Sequence, residues 1–368
     1  VDTVIITDAQ PSADQPSAHG PSSHHRQRHR HTPRPQTDAP PARQGLTGSK
    51  AVITPVISVL VVGLAFVSVF LAAFHTPKAH RLPVAVVASD HSAALFDVRL
   101  QRIAPEAFQV ERYPDGASAR RAVEHRQAYA AYLSEHGKPK VVHAGANGPA
   151  VTALLTPLAA APQGADHKIP VVDILPLSSG DSRGLSVFYA SFGLILAGFL
   201  FGQLTYQVAP RLSFRQRVLS LALFAVLGGL ATTLIACTAF DAIPGPFFGI
   251  FGVVTLMAGA VAAATVALIR VFGPAGVPLS SICMLIVGNA TSGGVLPPSF
   301  LPNWLQPLAS VMPAGVGVRA MDGLAYFRND GLTRGIVILC CWIAACVGTM
   351  FLLDRVAATS GIAHAATR

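Results

Sequence analysis

The chain has 368 residues, of which 51% are hydrophobic and only 12% charged, and its net charge is +9 at pH 7. This is too apolar a composition for a soluble protein of that length, and it excludes a purely aqueous enzyme or a nucleic-acid-binding module. It fits a membrane protein that also carries aqueous mass.

Residues 1–50 are rich in Pro, Ser, His, Gln and Arg and hold almost no branched apolar or aromatic residue after Ile6. Such a segment cannot bury enough surface to offset its ordering entropy, so it is expected to be a disordered basic cytoplasmic tail. Its run HHRQRHRHTPRP (24–35) reads as solvated basic charge beside an anionic membrane face. Nothing around it would fix the geometry of a metal site.

Residues 51–74 are uncharged and long enough to cross a hydrocarbon core of ~30 Å. They are expected to stay as a transmembrane helix, since no cleavage pattern follows them. Residues 75–186 then alternate short β-rich runs with helical ones. PVAVVAS (83–89), FQVERY (108–113), AYAAYLSE, KVVHAG and PVVDILPL (170–177) read as strands. The segments around SAALFDVRLQRIAP, ASARRAVEHRQ and PAVTALLTPLAAA read as helices. This alternation predicts a small α/β domain with a parallel or mixed sheet.

Five further spans are expected, at Val187–Val208, Val218–Phe240, Phe248–Ile269, Leu279–Leu296 and Gly335–Leu353. Residues 356–368 are left as a C-terminal tail. The fifth span dissolves into GNATSGGVLPPSFLP (288–302), where small residues and prolines interrupt the helix. The loop after the second span carries Arg211, Arg215 and Arg217 and no acid. Arg270 follows the fourth span and Arg355 the sixth, whereas the loop after the third carries Asp241 and no base. By the positive-inside rule both termini are cytoplasmic and the α/β domain is extracytoplasmic.

Chemistry-bearing motifs are scarce. The Gly137-Lys138 pair is followed by Pro139, not Ser or Thr, so there is no P-loop. No nucleophile elbow or zincin motif occurs, and the chain is expected to be neither an enzyme nor a cofactor binder. The five cysteines (Cys237, Cys283, Cys340, Cys341 and Cys346) all fall in expected spans and offer neither a disulfide framework nor zinc spacing. The spans lack ionisable groups in their middles, which argues against proton-coupled transport. Gly198 and Gly202 form a G-x-x-x-G, and MAGAVAAA (257–264) is equally small. Close packing within the chain and dimerisation both fit these stretches.

The order of these parts resembles the membrane subunit (permease) of ABC-2 type transporters, in the branch of phage-infection-protein-like (YhgE/Pip-like) membrane proteins. LPVAVVASD (82–90), VVDILPLSSGDSRGLSVFY (171–189) and GNATSGGVLPPSFLPNWLQPLASVMPAGVGVRAM (288–321) carry the resemblance, which covers roughly residues 51–355. It implies six transmembrane helices in an ABC-2 type bundle and a plasma-membrane location. It also implies homodimerisation or heterodimerisation and a separate P-loop ATPase as partner. In such folds a re-entrant segment precedes the last span. Asn289, Gly293, Gly294, Pro297, Pro298, Pro302, Trp304 and Pro313 would form it near 294–318. Arg211, Arg215 and Arg217 would form the coupling loop that docks on the ATPase. The implied cargo is apolar or amphipathic: a lipid, a drug or an envelope component. The competing expectation is a non-transporting envelope scaffold or receptor, whose external domain binds a secreted or cell-wall partner.

Overall fold

The computed structural model describes residues 48–135, 138–159 and 169–366. The basic tail expected over residues 1–50 lies almost wholly outside them. The described residues from Val52 onward form one compact unit. It opens within the first turn of helix α1 (Ser49–Phe74).

The α/β part builds a five-stranded sheet. Its strands are β1 (Leu82–Val87), β2 (Phe108–Arg112), β3 (Ala130–Glu135), β4 (Lys138–His143) and β5 (Val171–Asp173), in the order β2-β1-β3-β4-β5. β1 runs parallel to β2 and β3, β4 is antiparallel to β3, and β5 is parallel to β4, so the sheet is mixed. The apolar strand β1 is covered on both faces. On one face, α2 (Asp90–Ile103) and α4 (Pro149–Leu155) bury Phe96, Leu100, Val151 and Leu155 against Val84, Val86 and Tyr132. On the other, α3 (Gly116–Glu124) buries Ala119, Ala122 and Val123 against Ala85, Leu133 and Val142. Both helices that follow β1 and β2 start where short polar side chains cap them. Ser89 accepts from the Ser92 amide at 3.3 Å, and Asp115 from the Ser118 amide at 2.7 Å.

The remainder is helical. It comprises α5 (Ser186–Val208), α6 (Phe214–Thr233, extended by a π turn over Leu234–Ala239) and α7 (Phe247–Phe272). These are followed by α8 (Gly276–Ser280), a π turn over Ser281–Val287, and α9 (Gly288–Ala290). Two short helices, α10 (Gln306–Ala309) and α11 (Pro313–Ala325), precede α12 (Leu332–Ala366). Among the described residues, five helical segments are long and apolar enough to cross a membrane: Val52–Phe74, Ser186–Val208, Phe214–Ala239, Phe247–Ala290 and Leu332–Thr359. The chain is therefore a multi-pass membrane protein.

Two sequence expectations change. The first concerns Leu279–Leu296, whose helix is joined to the preceding span and ends early, at Ala290. Phe247–Ala290 counts as 44 helical residues. As a straight rod it would carry Gly288 ~46 Å beyond Met257. Yet Met257 lies against Gly317 and Gly288 near Ala314, both on α11. The chain must therefore double back, and it does so at Gly273, whose φ of +59° favours glycine. The returning arm is helical only over Gly276–Ala290, ~22 Å of a ~30 Å core, and the irregular residues after it carry the chain on to Phe188 at the start of α5, which Gly294 meets. The arm's polar residues turn inward on their own helix: Ser280 and Ser281 donate to the Val277 carbonyl, and Asn289 to Leu285. The second change is at the end of the chain. α12 continues to Ala366, through residues expected as a tail.

α7 is the central helix. In its most apolar stretch 78% of the residues are enclosed by the chain, against 6% for α1. Without a hydrophobic drive between helices in lipid, close approach and dispersion must hold such a bundle. Small residues supply the approach. Gly198 and Gly202 of α5 face Val261 and Thr265, Gly229 of α6 faces Thr255, and Gly259 faces Ile343 of α12. The G-x-x-x-G pair thus serves packing inside this chain. α1 packs on the rest near its end, where Val69, Phe70, Ala73 and Phe74 meet Leu301, Leu305 and Ala309.

The α/β domain is fastened to the helices, not tethered to them. Phe300, on the turn Pro298–Phe300, enters the core of one sheet face. Phe327, from the turn between α11 and α12, enters the core of the other and is fully buried. Backbone contacts reinforce both joints. The His80 amide donates to the Ser299 carbonyl at 3.0 Å, and the Ser178 hydroxyl to the Ala242 carbonyl at 2.9 Å.

Candidate functional site

Between the domain and the helices lies a cavity of about 180 Å³. The domain supplies Arg126, Tyr129 and Asn147; the broken segment supplies Ser292 to Val295 with Pro297 and Pro298; and α5, α10, α11 and α12 supply further wall. The sequence dictates this gap. Helix α9 stops at Ala290, Gly293 turns with φ +81°, and Gly294 lies so close to Phe188 of α5 that a side chain there would collide with it. Pro297 then keeps the chain extended, and Pro298 starts the tight turn that anchors Phe300.

Charge enters on two pairs. Arg126 donates to Asp322 at 2.7 Å, with both side chains only 17% exposed, and its guanidinium lies 4.0 Å from the Phe327 ring centroid. Arg126 holds this position with a left-handed φ of +54°, a conformation L residues adopt only under outside constraint. Burial pushes the Asp322 carboxyl upward and Asp181 adds to that push, while Arg126 pulls the other way. Burial likewise raises the Tyr326 phenol, whose oxygen accepts from the Ser178 amide. Arg319 pairs with Asp330 at 3.0 Å. Arg334, two residues into α12, lines the cavity and has no ion-pair or hydrogen-bond partner among the described residues. Asn147 is 7% exposed and its Nδ2 has no partner.

Of the residues expected to form the re-entrant segment, Gly293, Gly294, Pro297 and Pro298 line this cavity. Asn289 is buried behind it, with its Oδ1 unpartnered. Pro302 starts the turn that leads into α10, Pro313 begins α11, and Trp304 is 60% exposed. The stretch is neither a free loop nor an independent hairpin, because its centre is stitched to the α/β domain. Arg126, Asn147, Arg319, Asp322 and Arg334 were not singled out from the sequence. The usable signal was Arg319 and Asp322, which end a run from 271 to 318 holding no Asp, Glu, Lys or Arg at all.

The arginine loop departs from the expectation. No separate helix lies between Val208 and Phe214; Ser213 and Gln216 form a capping box that starts α6 directly. Arg211 and Arg215 are exposed, but Arg217 is 5% exposed and is held by Asp354 of α12 and the Leu212 carbonyl. Arg270, at the end of α7, shares the same carboxylate. Arg217 therefore ties helices together and cannot present itself to a partner beside Arg211 and Arg215. This cluster sits at the opposite ends of α6 and α7 from the α/β domain. Among the described residues, no group of His, Cys, Asp and Glu could hold a metal ion. Comparison with family models, with curated proteins and with solved structures gave no match.

Proposed function

We propose that the chain is the permease-like membrane subunit of an ABC-2 type exporter, driven by a separate P-loop ATPase and working as a dimer. It would move an apolar or amphipathic substrate across the plasma membrane, with both termini cytoplasmic and the α/β domain outside. One observation carries the reading: a cavity at the helix ends, walled by a helix-breaking segment and roofed by the α/β domain. Irregular backbone near membrane depth is tolerated where protein or a cavity covers it, and translocation paths use it in that way. The exposed Arg211 and Arg215, at the far end of the bundle, would meet the ATPase.

The test is purification of the tagged protein in mild detergent from its native host, followed by mass spectrometry. A stoichiometric P-loop ATPase is expected, and Arg211→Ala with Arg215→Ala should remove it while leaving thermal stability within about 0.5 kcal/mol. An intact, monodisperse protein purified without an ATPase would overturn the exporter reading. A second reading then gains weight, that of an envelope scaffold or receptor. It is favoured by Leu95 and Val98, neighbours on the outer face of α2 that are 59% and 56% exposed.

A further inference from the structure

One cation of the cavity wall has no ion-pair partner among the described residues. Arg126 is neutralised by Asp322 and Arg319 by Asp330, which leaves the Arg334 guanidinium without a carboxylate. Arg334 is exposed at the edge of the cavity, so an anion reaches it directly, and its pull strengthens once a bound tail excludes water from the space beside it. Asn147 adds a second unmet donor; a buried amide N–H without a partner costs free energy until something accepts from it. The Asp322 carboxylate stands on the same wall and repels a second negative charge. Val187, Val295, Pro297 and Val316 give the wall an apolar stretch beside the polar Ser292, Gln306 and Ser310. The position matters as well. Val187 opens α5 and Arg334 opens α12, so the cavity lies where two membrane-length helices begin.

We infer that this cavity binds an amphiphile with one singly charged oxyanion as its head, a phosphodiester or a carboxylate, held by Arg334 and Asn147 with its first methylenes on the apolar stretch. This names a ligand for the cavity on which the exporter reading rests. Binding at equilibrium needs no ATPase, however, so the failure of one idea can be told from the failure of the other.

The experiment uses the full chain in uncharged detergent and measures saturable binding by native mass spectrometry and by ligand-induced shift of thermal unfolding. The probes are short-chain phosphatidylglycerol, phosphatidylcholine with the same chains, the fatty acid of equal length, and inorganic phosphate. Phosphatidylglycerol, the fatty acid or both should bind one per chain, whereas phosphatidylcholine and phosphate should not. Preference for the first points to a membrane lipid as the source, and preference for the second to a soluble carboxylate. Arg334→Gln should weaken binding by about tenfold or more, the scale of one charge-assisted hydrogen bond. Arg120→Gln, on the exposed face of α3, should leave it unchanged. Equal binding of phosphatidylcholine, or unchanged binding by Arg334→Gln, overturns the proposal. So does inorganic phosphate binding as well as the amphiphiles. If Arg334→Gln fails to fold, the head-group comparison on the unaltered protein decides alone.

Discussion

Phe327→Ala is expected to destabilise the protein by about 3–5 kcal/mol, the range for removing a fully enclosed phenyl ring. It should also loosen the α/β domain from the helices. The ring has no exposed surface and sits among Ala119, Ala122, Val123 and Leu133, yet it belongs to the turn between α11 and α12. Its loss opens a cavity in the domain core and removes the surface under the Arg126 guanidinium at the same time. Arg126 would then hold Asp322 without support from below, so the pair that walls the ligand cavity should become mobile. Thermal unfolding in detergent gives the stability. Limited proteolysis gives the docking, with new cleavage expected in the connection 176–185. Phe327→Leu should recover most of the stability, because it refills much of the volume. An unaltered proteolysis pattern in the alanine variant, at whatever stability, would show that Phe300 and the 178–242 contact hold the domain alone.

The sequence made the elements legible where period and caps agreed. The strands near 83–87 and 108–112 and the helices between them followed from alternation and turn residues, and the structure has them in those places. The long uncharged runs gave four of the five membrane-length segments directly. What could not be read was set by tertiary contact. Nothing local says that the helix of Leu279–Leu296 is joined to the preceding span and ends at Ala290; that depends on Gly273 turning the chain back and on Gly288 meeting Ala314. Nor does anything local say that Phe300 and Phe327, both in loops, are core residues of a domain more than 100 positions away. The candidate site was half legible. Its glycines and prolines announce a break in a helix, but Arg126 and Asn147 come from ordinary-looking turns of the α/β domain. Arg217 misled for the opposite reason. Three arginines in a short loop read as one exposed set, until Asp354, 137 positions on, buries the third.

Asp354→Asn is the substitution expected to cost most at the far end of the bundle, about 3 kcal/mol. Arg217 lies in the first turn of α6, where the helix dipole disfavours a cation, and it is 5% exposed. It tolerates that place because Asp354 meets it at 3.2 Å and the Leu212 carbonyl accepts from it at 2.7 Å. Arg270, in the last turn of α7, has a favourable dipole but shares the carboxylate. Neutralising Asp354 leaves two guanidinium groups facing each other, one of them without access to water. Arg270→Gln should cost less, about 1 kcal/mol, because the Arg217–Asp354 pair survives and Arg270 is partly exposed. Replacing all three with apolar residues of similar size should restore stability to near that of the unaltered protein, since it removes the desolvated charges together. Thermal unfolding of the three variants at low and at high salt checks the order, and the order should persist in salt because the pair is shielded from it. If Asp354→Asn unfolds like the unaltered protein but loses an ATPase that Arg211→Ala with Arg215→Ala also loses, the cluster is a docking surface instead of a helix clamp. Arg217 would then rejoin the two exposed arginines as part of it.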